Sequence, residues 1–64
     1  MNFLTFEEHK LDEEIIIFNK KRDFLGKIFN FPEWKKFVFE AERYMVFDEL
    51  CLQEIINKLK ELNK

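Results

Sequence analysis

Apolar and polar residues fall into two kinds of pattern along the chain, and each kind predicts its own element. From Asp48 to Asn63 the apolar residues Leu52, Ile55, Ile56, Leu59 and Leu62 recur at helical spacing, with Gln53, Glu54, Asn57, Lys58, Lys60 and Glu61 between them. This predicts an amphipathic helix whose polar side, with Glu54, Lys58 and Glu61, is solvated. Asp48 is placed as its N-cap, and Phe47 with Leu52 have the spacing of a hydrophobic staple. Acids at the start and lysines towards the end both suit the helix dipole.

Upstream, the runs are short, β-branched and aromatic. Glu14–Asn19, carrying Ile15, Ile16, Ile17 and Phe18, reads as a strand with both faces covered. Lys20, Lys21, Arg22 and Asp23 make a polar turn, and Phe24–Phe31 is the second strand, in which Gly26 marks a bulge or the close approach of another backbone. Phe31 to Trp34 turns at Pro32, and Trp34–Glu40 is the third strand, with Phe37 and Phe39 on one face and Trp34, Lys36 and Val38 on the other. Ala41 to Phe47 is a connection rich enough in apolar residues to pack across the sheet edge. Residues 1–13 admit two readings: a short helix opened by the capping-box pair Thr5 and Glu8, or an extended segment laid against the sheet. The expected fold class is α+β in a single domain, residues 1–64. It comprises a three- or four-stranded antiparallel meander over residues 14–40 and one C-terminal helix, residues 48–63, packed on one face.

Both faces of these strands carry large apolar residues, so something besides the helix must cover the second face. Phe3, Leu4 and Phe6 are one candidate; a second copy of the chain or another protein is the other. The spacing of Leu52, Ile55, Leu59 and Leu62 also fits a coiled-coil seam, but over too short a length, and core packing is the better reading.

Composition narrows the picture. A chain of 64 residues buries only about 60% of its unfolded surface, and a core of that size usually needs a supplement. One cysteine excludes an internal disulfide, and one cysteine with one histidine is too few for a structural zinc site. Nine Phe, one Trp and one Tyr are the supplement that remains. There is no signal-peptide pattern and no run long enough for a membrane span, so a cytoplasmic protein with no membrane partner is expected.

Net charge is −2, unevenly spread. Residues 19–36 hold six Lys or Arg against two acids, and the flanking segments are acidic. Lys20, Lys21, Arg22, Lys35 and Lys36, interleaved with Phe29, Phe31 and Trp34, are therefore the candidate partner-binding residues. Basic groups alternating with aromatic rings are how a stacking platform for single-stranded nucleic acid is built, and Lys36 to Phe39 resemble part of an RNA-recognition strand, without that motif's glycines. Nucleic acid is accordingly the alternative partner class.

Catalytic constellations are thin. His9 would share a helix face with Glu13, but no third metal ligand accompanies them. Cys51 in the first helical turn is a candidate for an activated thiol with His9 as base; a small apolar residue at the edge of the helix stripe is the plainer reading. No phosphate-cradling loop exists around the single glycine. A non-enzymatic protein that needs no cofactor is expected.

Leu25, Gly26, Lys27 and Ile28, then Trp34 and the run Phe37, Val38, Phe39, and finally Leu52, Glu54, Ile55, Leu59, Leu62 and Asn63, form an order that resembles a loose group of very small phage and prophage proteins. The resemblance covers residues 24–63 and rests mostly on packing residues; Ala41 stands near where the group often has proline. It implies a mobile-element origin and a protein that binds and blocks a host protein, host-defence complexes such as CRISPR included. It carries over no functional residue.

Overall fold

A computed structural model describes residues 3–64. Four strands, β1 (Leu4–His9), β2 (Glu14–Asn19), β3 (Phe24–Phe31) and β4 (Lys36–Ala41), form one antiparallel sheet in chain order, and helix α1 (Glu49–Leu62) follows. The architecture is α+β, as the patterns predict, with the fourth strand present.

That fourth strand settles the two readings of the N-terminal segment. Residues 4–9 alternate in period two and pair with β2 from Leu4↔Asn19 to His9↔Glu14. A helix there would have had only Phe6 and Leu11 as an apolar face, whereas a strand sets Leu4 and Phe6 beside Ile17 and Ile15. The segment therefore extends the sheet and does not cover its second face: Leu4 is buried on the side the helix covers, and Phe3 and Phe6 pack against the same core.

The core is Leu4, Ile15, Ile17, Leu25, Ile28 and Ile55, with Ile17 and Ile28 at 0% exposure. Ile15 and Ile17 point inward while Ile16 and Phe18 point outward and are half-buried, so β2 has one covered face, not the two expected. Gly26 lies at a bulge, where the pairing shifts between Ile17 and Phe18, and the shift leaves Leu25 as an extra residue that is buried in the core. Both readings of Gly26 hold. Its φ is +153°, and a Cβ there would meet the Glu40 carbonyl oxygen and stand 2.8 Å from the Phe39 ring.

The third strand of the sequence reading begins two residues later than expected, at Lys36. The Phe31 carbonyl accepts from the backbone N–H groups of both Trp34 (3.1 Å) and Lys35 (2.9 Å), which keeps those residues in the turn that Pro32 opens. Lys35 has φ +55°, as Arg22 (+69°) and Glu13 (+56°) do in the other two hairpin turns. Between Ala41 and the helix, Met45 and Phe47 pack on the core, while Tyr44 and Val46 are exposed.

Asp48 caps α1 as expected, its carboxylate accepting from the Cys51 N–H at 2.9 Å. The helix is, however, rotated from the predicted face. Ile55 is its buried residue, Cys51, Leu59 and Leu62 pack beside it, and Leu52 and Ile56 stay 42% and 43% exposed. Phe47, expected to staple onto Leu52, sets its ring edge-on against Phe39 at 5.7 Å.

The rotation gives Glu54 and Lys58 work that the solvated-face reading missed. Glu54 accepts from the backbone N–H groups of Phe3 (2.6 Å) and Leu4 (3.3 Å) at the β1 edge. The Lys58 ammonium lies over the Phe6 ring, 5.9 Å from its centroid. At the other edge Asn63 accepts from the Phe37 N–H (2.7 Å) and donates to the Phe37 carbonyl (3.0 Å). One helix is thus tied to both edge strands.

Candidate protein-binding surface

Strand alternation sends every second residue to the face opposite α1, and among the described residues no element covers that face. Cross-strand register arranges it in rows. Glu7, Ile16, Lys27 and Glu40 form a central row, Thr5, Phe18 and Phe24 lie towards one end, and Phe29 with Val38 and Phe31 with Lys36 lie towards the other.

The two ends differ in what surrounds their aromatic rings. At the first, Phe18 and Phe24 have centroids 6.2 Å apart, and the Arg22 guanidinium sits 4.3 Å above the Phe18 ring. The turn that positions Arg22 is built by Asn19, whose side-chain oxygen accepts from the N–H groups of Lys21 and Asp23 at 2.9 Å each. At the second end Phe29 and Phe31 are 6.3 Å apart, and Trp34, 67% exposed, stands edge-on to Phe31 at 5.0 Å.

The charges between the aromatic groups are largely satisfied within the face. Arg22 bonds Glu7 at 3.0 Å and His9 approaches the same carboxylate at 3.4 Å; the Arg22 hydrogen bond, with a smaller contribution from His9, lowers the Glu7 carboxyl below its ordinary value. Lys27 bonds Glu14 at 3.0 Å and lies 5.5 Å from the Phe29 centroid; the bond to Glu14, reinforced by that carboxylate's charge and by Glu40, raises the Lys27 ammonium.

The candidate residues of the sequence reading separate into two groups. Phe29, Phe31, Trp34 and Lys36 come together at one end, with Lys35 in the adjoining turn. Lys20, Lys21 and Arg22 lie at the opposite end of the eight-residue strand β3, roughly 23 Å away. The single basic-aromatic platform expected from their nearness in sequence is not what the topology builds. Ile16, Phe18 and Val38 belong to the face and were missed; the alternation Glu14, Ile16, Phe18 carried that signal, hidden by an isoleucine run that reads as apolar on both sides.

Neither catalytic candidate is assembled. Residues 4–13 form a strand and a turn, so the helical spacing of His9 and Glu13 does not apply, and among the described residues no three His, Cys, Asp or Glu side chains could hold a metal ion. Cys51 is a free, half-buried thiol that burial, then the neighbouring Asp48, pushes up from its ordinary value, the reverse of activation. Among the described residues no helix is long and apolar enough to cross a membrane. The open face is aromatic, and most of its charges are paired within it.

Comparison with protein families, curated proteins and solved structures finds no match to the chain.

Proposed function

We propose that this chain is a non-enzymatic protein-binding module that engages its partner through the sheet face opposite α1. The observation that most supports the reading is Trp34. It is an exposed indole held against Phe31, next to Phe29 and Val38, with charged groups around the apolar patch. An aromatic anchor in an apolar centre with a polar rim is the composition of protein interfaces, and tryptophan is among the residues that most often dominate their energy. The resemblance to small phage proteins makes a host protein the class of partner, met in the host cytoplasm and inhibited by occupation of its surface.

The charge arrangement argues against nucleic acid as the partner. Phosphate binding needs a track of cations free to release counterions. Here Arg22 and Lys27 are each engaged by an acid, Glu40 lies in the same row as Lys27, and the Lys20–Lys21 turn is at the far end from Trp34.

Affinity capture from host lysate, run in parallel with a Trp34→Ala/Phe29→Ser variant of unchanged circular dichroism, tests the reading. A protein retained by the parent chain after nuclease treatment and lost with the variant is the expected result. Retention that nuclease abolishes, or equal capture by both chains, contradicts it.

A further inference from the structure

Among the described residues β4 pairs with β3 alone, so its other side is an edge of the sheet. At Phe37 both backbone groups turn outward, to the Asn63 side chain. Antiparallel ladders alternate, so Phe39 and Ala41 turn outward too, while the Glu42 N–H turns inward to the Leu25 carbonyl at 2.8 Å. Beside this edge runs an open apolar groove lined by Trp34, Val38, Phe39, Ile56 and Leu59. Its far wall is the helix flank on which Leu52, Ile56 and Leu59 share one side, and two of these three are the exposed apolar residues that the rotation of α1 leaves outside the core.

One charge pair within this edge suits a second copy of the chain. Reading from Lys35 to Glu42, two lysines precede the apolar centre Phe37, Val38, Phe39, and two glutamates, Glu40 and Glu42, follow it. Antiparallel pairing of this strand with itself about a two-fold axis at Phe39 sets Lys36 opposite Glu42 of the second copy and Val38 opposite its Glu40, with Lys35 and Arg43 facing one another just beyond the strand ends, and symmetry repeats the Lys36–Glu42 pair. The β1 edge lacks this property: between Leu4 and His9 its formal charges are Glu7 and Glu8, and the helix flank nearest it is polar, with Asn57, Lys58 and Glu61.

We propose that a second copy of this chain pairs antiparallel along the β4 edge, joining two sheets into one of eight strands with the two helices on the same side. Phe39 pairs with its counterpart, the exposed flanks of the helices approach over the new junction, and the two open faces become continuous. In this register the Phe37 groups face Ala41 of the second copy, so Asn63, which occupies them within one chain, competes with the dimer. The inference stands on the β4 edge and does not depend on the partner proposed for the open face.

Sedimentation equilibrium over a range of concentrations tests it, with circular dichroism confirming that each variant is folded. The parent chain is expected to reach twice its 8.0 kDa mass. Lys36→Glu should weaken the dimer roughly tenfold or more, because two attractive cross-strand pairs become repulsive. The exchange Lys36→Glu/Glu42→Lys should restore it, and Asn63→Ala should tighten it. A parent chain that stays monomeric at the highest concentration overturns the proposal. So does a dimer indifferent to Lys36→Glu, failure of the exchange to restore it, or an Asn63→Ala dimer no tighter than the parent's.

Discussion

The carboxamide of Asn63 takes the place of a neighbouring strand for Phe37, accepting from its N–H at 2.7 Å and donating to its carbonyl at 3.0 Å. The residue that ends the helix thereby satisfies two groups of an edge strand, and it does so with a side chain that must both donate and accept. Asn63→Ala should cost the single chain about 1–2 kcal/mol in urea unfolding at low concentration, from two hydrogen bonds on a partly solvated edge. Asn63→Asp should cost as much, because a carboxylate keeps the Phe37 N–H satisfied but faces the Phe37 carbonyl with no proton to give. An unchanged midpoint for the alanine variant would mean that the tie to Phe37 contributes nothing.

Glu54 does the corresponding work at β1, where its two oxygens accept from Phe3 and Leu4. Glu54→Gln replaces one acceptor with a donor that meets a donor, so a loss of about 1–2 kcal/mol is expected. Amide exchange of Leu4 should accelerate more than that of Ile28 in the same variant, since the change loosens an edge and leaves the sheet centre in place.

Gly26→Ala should be the most damaging conservative change in the sheet. The added methyl would meet the Glu40 carbonyl oxygen, which is backbone and cannot swing aside, and the Phe39 ring, at a φ that alanine rarely adopts. Thermal or urea unfolding should register a loss of about 2 kcal/mol or more.

Acid weakens the tie between the β1 edge and the β2–β3 turn. The Glu7 carboxyl is held below its ordinary value of 4.5, first by the Arg22 hydrogen bond and then by His9, so the pair contributes stability above the ordinary carboxylate range. That contribution is lost as pH falls through the lowered folded value. The side-chain carbon signal of Glu7, followed by NMR, should titrate at lower pH in the parent chain than in Arg22→Ala.

Cys51 should behave as a packing residue. Burial, with Asp48 adding to it, raises its thiol, so at neutral pH it should react with a thiol-specific reagent more slowly than in the urea-unfolded chain. Its raised value also means that the preference of the fold for the neutral thiol is present at neutral pH and declines as pH climbs past the ordinary value of 9.0. Reaction faster than in the unfolded chain would restore the activated-thiol reading.

Strands β2 and β3 were legible because charged turn residues bracket short β-branched or aromatic runs, and their bounds, Glu14–Asn19 and Phe24–Phe31, coincide with the patterns. Asp48 was legible as a cap because capping is local. The orientation of α1 was not. Five apolar residues define a stripe wide enough to be turned either way, and the choice depended on Cys51 packing inward and on the Lys58 ammonium lying over Phe6. The ties made by Glu54 and Asn63 join groups 51 and 26 residues apart, and no local pattern encodes a side chain that finds the backbone of a distant edge. The candidate surface was half legible for the same reason. Trp34, Phe29, Phe31 and Lys36 meet through hairpin register, which the alternation of β3 and β4 implied. The distance of Lys20, Lys21 and Arg22 from them follows from the length of β3.

Chemical-shift mapping by NMR with the captured partner reads out whether the proposed binding face is the one opposite α1. The Ile16 and Val38 methyl signals and the Trp34 indole N–H should move most, with Asn57 and Glu61 on the helix flank beside β1 unchanged. Shifts concentrated at Asn57 and Glu61, with Ile16, Val38 and Trp34 unmoved, would place the partner on the helix side of the sheet.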